Sequence, residues 1–205
     1  MTMSVSSIRA GMLGSARFRG VKTYASQHFR GFVVFAVLLI VGTAGLAGCS
    51  GEGSTASGHE GYCTANDQNS VTVVIGFSDL GPSPRIGCAY DLPAHATGMD
   101  ALVALGISVT EVTRTPQFIC RIDGVPSADQ TVPIPGDDNY KETCVNTPPT
   151  TAYWTYWSAS EGGQWTYSLT GYALHEVVIG GYEGYSFAHN VPATQAAPSV
   201  PPVKP

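Results

Sequence analysis

The chain has 205 residues, which is enough for one domain with accessory segments and too few for two separate hydrophobic cores. It carries 10 Lys and Arg against 15 Asp and Glu, for a net charge of -5. Five of the cations precede residue 49 and every carboxylate follows it, so the rest of the chain is strongly acidic. Because an acidic body repels phosphate backbones, this distribution argues against nucleic acid as a partner.

The basic N-terminal stretch leads into an apolar run that is typical of an export signal. No charged residue occurs from Gly31 to Gly51, and the run ends in Leu46-Ala47-Gly48-Cys49. This ending resembles the lipobox of bacterial lipoproteins, in which the cysteine thiol receives a diacylglyceryl group and the preceding segment is removed. We predict a signal peptide over residues 1–48, lipidation (diacylglyceryl, palmitate) at Cys49, and a protein held at the extracytoplasmic face of the cell membrane. An uncleaved transmembrane helix is the alternative.

Beyond the anchor, residues 49–62 are rich in Gly and Ser and predict a flexible tether. The four remaining cysteines of an exported domain indicate two disulfides, for which three pairings are possible. Sequential pairing would close two loops of similar length, each stabilising by about 3 kcal/mol. No C-x-x-C pair is present, which disfavours zinc, and we predict no metal and no cofactor. These cysteines are Cys63, Cys88, Cys120 and Cys144.

Hydrophobic periodicity predicts an α+β domain over residues 63–190. Residues 71–77 alternate as a strand, and Thr97 with Asp100 predicts a capped helix that ends at Gly106. Strands follow over 107–113 and 117–123, then an ordered loop over 124–149. A last strand is expected near 184–187, and the Pro-rich residues 191–205 predict a disordered tail. The expected fold is a small β-grasp-like mixed sheet with one main helix, stapled by disulfides.

Between the loop and the last strand lies an aromatic hairpin, two strands joined by a Glu-Gly-Gly-Gln turn. All three tryptophans lie in it. Successive side chains of a strand point to opposite faces, so one set of rings enters the core. The other set either packs under the 124–149 loop or forms a platform for a planar or sugar-like ligand or a partner protein. The candidate ligand-binding residues are Tyr153, Trp154, Tyr156, Trp157, Trp165 and Tyr167.

The order of several short phrases resembles a known family. These are Thr97-Gly98-Met99-Asp100-Ala101-Leu102, Ile122-Asp123-Gly124, Tyr153-Trp154-Thr155-Tyr156-Trp157 and a terminal strand after a Gly-Gly turn. Together, across Val71 to Phe187, they resemble small extracytoplasmic domains of unassigned function, similar to the C-terminal β-domain of transcobalamin and intrinsic factor. Secreted actinobacterial proteins of this kind often occur beside vitamin-uptake transporters. The four cysteines, the 124–149 insertion and the Gly162-Gly163 turn depart from that pattern.

No arrangement of residues predicts catalysis. Residues 76–81 nearly spell G-x-S-x-G, but the second glycine is one place late and no helix follows. His95, His175 and His189 lie in unlike contexts, and the Asp137-Asp138 pair fits a solvated turn better than a calcium loop. We predict a ligand-binding or accessory lipoprotein rather than an enzyme. The resemblance implies uptake of a corrinoid-like vitamin with a transporter subunit as partner; an envelope interaction module is the alternative, and a hydrolase is the least supported.

Overall fold

The computed structural model describes residues 55–205. The predicted signal peptide, the lipidation site Cys49 and the first part of the predicted tether lie outside the described residues. None of the helices within residues 55–205 is long and apolar enough to cross a membrane.

The strands within residues 55–205 are β1 Ser57–Glu60, β2 Val71–Gly76, β3 Arg85–Tyr90, β4 Val109–Val112, β5 Thr115–Ile122, β6 Ala152–Ala159, β7 Thr166–Tyr167 and β8 Tyr182–His189. The centre of the fold is a mixed sheet of six of them in the order β1-β3-β2-β8-β6-β7. Strands β2 and β8 run parallel, and every other neighbouring pair in this sheet is antiparallel. Strands β4 and β5 form a separate antiparallel pair. The predicted α+β class is confirmed, with one α-helix, α1 Gly98–Ala104, among residues 55–205.

The helix begins and ends where its sequence predicts. The Asp100 carboxylate accepts a hydrogen bond from the Thr97 backbone N–H at 2.7 Å, and the Thr97 hydroxyl accepts one from the Asp100 N–H at 3.4 Å. This reciprocal pair is a capping box, which satisfies two helix N–H groups that have no partner within the helix. Gly106 then takes a φ of +63°, a conformation that ends a helix at low cost only for glycine.

One face of the sheet packs against α1 and the 124–149 loop to form the main core. Strand β2 contributes Val71, Val73 and Ile75 to this face, and α1 contributes Ala101 and Leu102. The other residues of β2 are also buried, so both faces of the sheet are covered. Strands covered on both sides are expected to be apolar throughout, which agrees with the Val-Thr-Val-Val-Ile sequence.

The second face is covered by residues 191–205, for which composition predicts disorder. The structure differs: the Val200 carbonyl accepts a hydrogen bond from the Trp165 indole at 2.9 Å, and the Pro202 carbonyl accepts one from the Gly162 N–H at 2.7 Å. Proline has no backbone N–H that needs a partner, and the Val200 and Pro202 carbonyls accept hydrogen bonds from the aromatic hairpin. These residues can therefore take an ordered conformation against the sheet. We call residues 191–205 the C-terminal strap.

Part of the predicted tether is also ordered. Strand β1 pairs with β3 and forms one edge of the sheet, so the domain begins before Cys63. The disulfides join Cys63 to Cys88 and Cys120 to Cys144, which is the sequential pairing among the three possible. The second disulfide holds the 124–149 loop against β5, as expected for an ordered loop.

Candidate functional site

The predicted aromatic hairpin is confirmed: β6 and β7 pair antiparallel through Trp157 with Tyr167 and Ser158 with Thr166. Trp154 and Tyr156 point into the main core and are buried. The Trp154 ring meets Phe187 edge-on at a centroid distance of 5.6 Å, and its indole N–H donates to the Val125 carbonyl at 3.2 Å. Both rings of this set therefore serve the packing of the domain.

Of the aromatic rings on the other face of the hairpin, some are packed and others are partly exposed. Trp157 is buried, and its indole N–H donates to the Thr155 hydroxyl at 2.8 Å. Trp165 lies under the C-terminal strap, against the backbone of Gly184. A platform built from the whole set is therefore not present, since Trp157 is buried and the strap, rather than the predicted loop, covers Trp165. Tyr153 and Tyr167 alone among the six candidates keep partial exposure without the strap over them.

These two tyrosines line a groove of about 230 Å³ at the outer edge of β6. One wall is residues 117–119 of β5, the floor is residues 153–156 of β6, and the other wall is residues 167–172. The Tyr153 ring lies 6.0 Å from the Phe118 ring, centroid to centroid. Sequence reasoning missed this groove because its walls come from three segments that only the fold brings together. Periodicity could flag Phe118, but nothing in the sequence marks Leu169, whose side chain is 95% exposed at the groove.

The groove is electrically neutral. No charged side chain lines it. Burial, and then a hydrogen bond with Tyr167, raises the pKa of Tyr153 to about 12. The phenol therefore keeps its proton at physiological pH, and the site offers rings, hydroxyls and main-chain groups.

A second polar cluster lies behind the groove, in the core. Glu183 is only 1% exposed, and one of its oxygens accepts a hydrogen bond from the Tyr156 hydroxyl. The other Glu183 oxygen and the His175 Nε2 have no hydrogen-bond partner within the described residues. Burial raises the pKa of Glu183 to about 8 and lowers the pKa of His175. The Glu183 carboxyl is thus mostly protonated at neutral pH. The local sequence Tyr-Glu-Gly-Tyr does not predict that this glutamate is buried.

The residues weighed for catalysis are not assembled into a catalytic arrangement. His189 directs Nδ1 to Asp79 at 2.6 Å and Nε2 to the Pro133 carbonyl at 2.7 Å, so neither ring nitrogen bonds to Ser78. Burial lowers the pKa of His189, but these two acceptors outweigh it and the net shift is upward. His95 pairs with the exposed Glu176 at 3.0 Å.

Within residues 55–205, two groups of side chains of metal-binding types lie close together. One is His59, Asp67 and Cys88, and the other is Cys120, Glu142 and Cys144. In both, the sulfur atoms are held in disulfides and supply no thiolate. Asp137 accepts from the Asn139 N–H at 3.0 Å, which is the local bond of the predicted solvated turn.

Comparison of the chain with protein-family models, with curated proteins and with solved structures finds no match.

Proposed function

We propose that this protein is an extracytoplasmic binding module, tethered to the membrane by lipid at Cys49, that holds a ligand in the groove beside β6. The observation that carries the proposal is that groove. Most of the hairpin rings are sealed by the core and the strap, while Tyr153 and Tyr167 remain accessible beside the unusually exposed Leu169. A concave site with aromatic walls and a few convergent polar groups is the usual form of a small-molecule site.

Export is supported by two independent features. The lipobox-like Leu46-Ala47-Gly48-Cys49 follows an apolar, uncharged run. Both disulfides join cysteines of the described domain, and such bonds persist in oxidising compartments outside the cytoplasm.

We also propose a β-grasp-like arrangement for this sheet, of the type expected from the resemblance to the transcobalamin C-terminal domain. The β2–β3 hairpin, the helix that follows, and the return of β8 parallel to β2 support it. The resemblance offers a corrinoid-like vitamin as ligand. The groove volume is below the roughly 300–1,000 Å³ of sites that enclose drug-sized molecules, which favours a smaller ligand.

The groove can be tested by filling it. Gly171 lines the groove, and an added Cβ would meet only the Gln117 carbonyl at 3.9 Å, so the backbone has room for the Cβ of Gly171→Leu and the rest of that side chain adds bulk at the groove. Titration of the tryptophan fluorescence with cobalamin, smaller corrinoid precursors and neutral sugars should show saturable binding that Gly171→Leu weakens at least about tenfold. The matched control Ala128→Leu, at an exposed loop position, should bind as the native chain does. Flat titrations across the set, or equal binding by both variants, would remove the groove as the site.

The anchor is tested separately. Cys49→Ala should abolish incorporation of labelled palmitate and leave the N-terminal segment uncleaved, so the variant should migrate as a larger species than the native protein. Equal mobility of the two proteins, with no palmitate label in either, would favour the uncleaved helix instead.

A second candidate function, an interaction module of the cell envelope, is favoured by a run of exposed aliphatic side chains. Leu174, Val178 and Ile179 follow Leu169 in the segment between β7 and β8, and all are exposed. Exposed aliphatics in one segment suit a protein partner. Crosslinking in membranes, comparing the native chain with Leu174→Ser, should lose a specific adduct in the variant if this segment contacts a transporter subunit or another envelope protein.

A further inference from the structure

The floor of the groove carries main-chain groups that the sheet leaves unpaired. In an antiparallel strand, the N–H and C=O of one residue point to the same edge, and successive residues alternate between edges. The Tyr156 carbonyl accepts a hydrogen bond from the Ser168 N–H at 2.9 Å, so the main-chain N–H and C=O of Tyr156 point to the groove edge, while its side chain lies in the core. Trp154, two residues earlier, therefore points its N–H and C=O to the same edge.

Within residues 55–205, three of these four outward groups have no hydrogen-bond partner, the exception being the Tyr156 carbonyl. Strand β7 pairs with β6 only at Trp157 and Ser158, which leaves the β6 edge before them uncovered. No backbone or side-chain hydrogen bond reaches the Trp154 N–H, the Trp154 carbonyl or the Tyr156 N–H. The groove thus presents two donors and one acceptor in a row, on the rigid backbone of a sheet strand.

The rings beside these groups give the groove an apolar side. Tyr153 and Phe118 are tilted by 38° to one another, and Leu169 extends beside Tyr167. Rings provide a flat apolar surface, whereas the β6 edge provides directional hydrogen bonds. A ligand that matches both the rings and the β6 edge must have one apolar face and, around it, groups that donate and accept hydrogen bonds.

Charge and size restrict the ligand further. No charged side chain lines the groove, so an ionic ligand would lose its hydration without gaining a partner. The volume of 230 Å³ accommodates one ring rather than a corrinoid or several residues of a peptide strand.

We propose that the groove binds a single neutral sugar residue. This inference rests on the proposed function, and it names the class of ligand. The C–H face of the pyranose ring packs on Tyr153. Its hydroxyls donate to the Trp154 carbonyl and accept from the Trp154 and Tyr156 N–H groups. The sugar is either free or the end of a longer glycan, since both present the same ring.

The test uses the full chain in detergent and monitors the Trp154 and Tyr156 amides by NMR during titration. The probes are glucose, galactose, mannose and N-acetylglucosamine, with the charged analogues glucuronate and glucosamine as controls. The expected result is a shift of both amide resonances, slower amide exchange, and preference for at least one neutral sugar over the charged analogues. Adding short oligosaccharides of the best sugar distinguishes the two sources, because a glycan end binds more tightly than the free sugar only if the site extends along a chain.

Two variants localise the binding. Gly171→Leu should weaken it at least about tenfold, because the added side chain fills the groove. Tyr153→Ala should weaken it about five- to tenfold, since a ring contact contributes up to roughly tenfold. Tyr153→Phe keeps the ring and should stay within about threefold. Gly171→Leu preserves the test if Tyr153→Ala does not fold. Tyr90→Ala, in β3, removes a ring outside the groove and should bind as the native chain does.

The outcomes separate this inference from the proposed function. If neutral sugars leave both amides unchanged while a corrinoid precursor shifts them, the sugar assignment is wrong and the groove remains a site. If no probe shifts these amides, both are wrong. Sugar binding that Gly171→Leu leaves intact would also overturn the assignment, since it would lie elsewhere on the domain.

Discussion

Replacing Glu183 by glutamine should change how the stability of the domain depends on pH. Burial raises the pKa of Glu183 to about 8, against 4.5 for an ordinary glutamate. Below pH 4.5 the carboxyl is protonated in the folded and unfolded chains alike, so it contributes no pH dependence there. As the pH rises to 8, the unfolded chain ionises while the folded chain holds its proton, and the folded state is progressively disfavoured. At about 1.36 kcal/mol per pH unit, this lowers the free energy of unfolding by up to ~5 kcal/mol.

A glutamine side chain cannot ionise, so the Glu183→Gln variant should lack this decline. Urea unfolding of the disulfide-intact protein should show similar stabilities for both proteins near pH 4.5. At pH 8 the variant should be more stable by about 3–5 kcal/mol. Asp138→Asn, at an exposed aspartate of the 124–149 loop, should follow the native profile in this range. Parallel profiles for the native chain and Glu183→Gln would show that Glu183 is ionised in the folded state, and would refute the argument from burial.

Three further changes test the packing. Gly98→Ala should destabilise by more than about 2 kcal/mol in urea unfolding, because its Cβ would lie 2.6 Å and 2.7 Å from two tyrosine hydroxyls; a neutral effect would mean that these rings move easily. Deleting residues 192–205 should uncover Trp165, shift tryptophan emission to longer wavelength and cost about 2–4 kcal/mol; unchanged emission would contradict the role assigned to the strap. Replacing Cys63 and Cys88 together by Ala should cost about 3 kcal/mol, measured by thermal and urea unfolding, and a stability equal to the native chain would show that the segment after β1 needs no covalent link to β3.

The elements that sequence predicts well are those whose signal is local. Thr97 and Asp100 set the start of the helix and Gly106 sets its end. Each of these residues acts on the helix turn next to it. The hairpin follows from alternating rings on either side of a Gly-Gly turn. Local chemistry of this kind needs no knowledge of distant residues.

The rest depends on contacts between distant segments. Proline content predicts disorder for the strap, yet its carbonyls meet the Trp165 indole and the Gly162 N–H, which lie about forty residues earlier. Likewise, the groove joins β5, β6 and residues 167–172, and Glu183 is neutral only because its surroundings are buried. No window of sequence contains these partners together, so periodicity cannot anticipate them.

The placement of β8 has a consequence for the order in which the domain can mature. This last strand lies in the middle of the sheet, between β2 and β6, so the hairpin made from the earliest strands and the aromatic hairpin have no shared partner until Tyr182–His189 arrives. A chain that emerges N-terminus first therefore holds two half-sheets with open edges until its final stretch is released. Completion of the sheet therefore waits for β8, and a truncation before β8 should leave aggregation-prone pieces rather than a smaller domain.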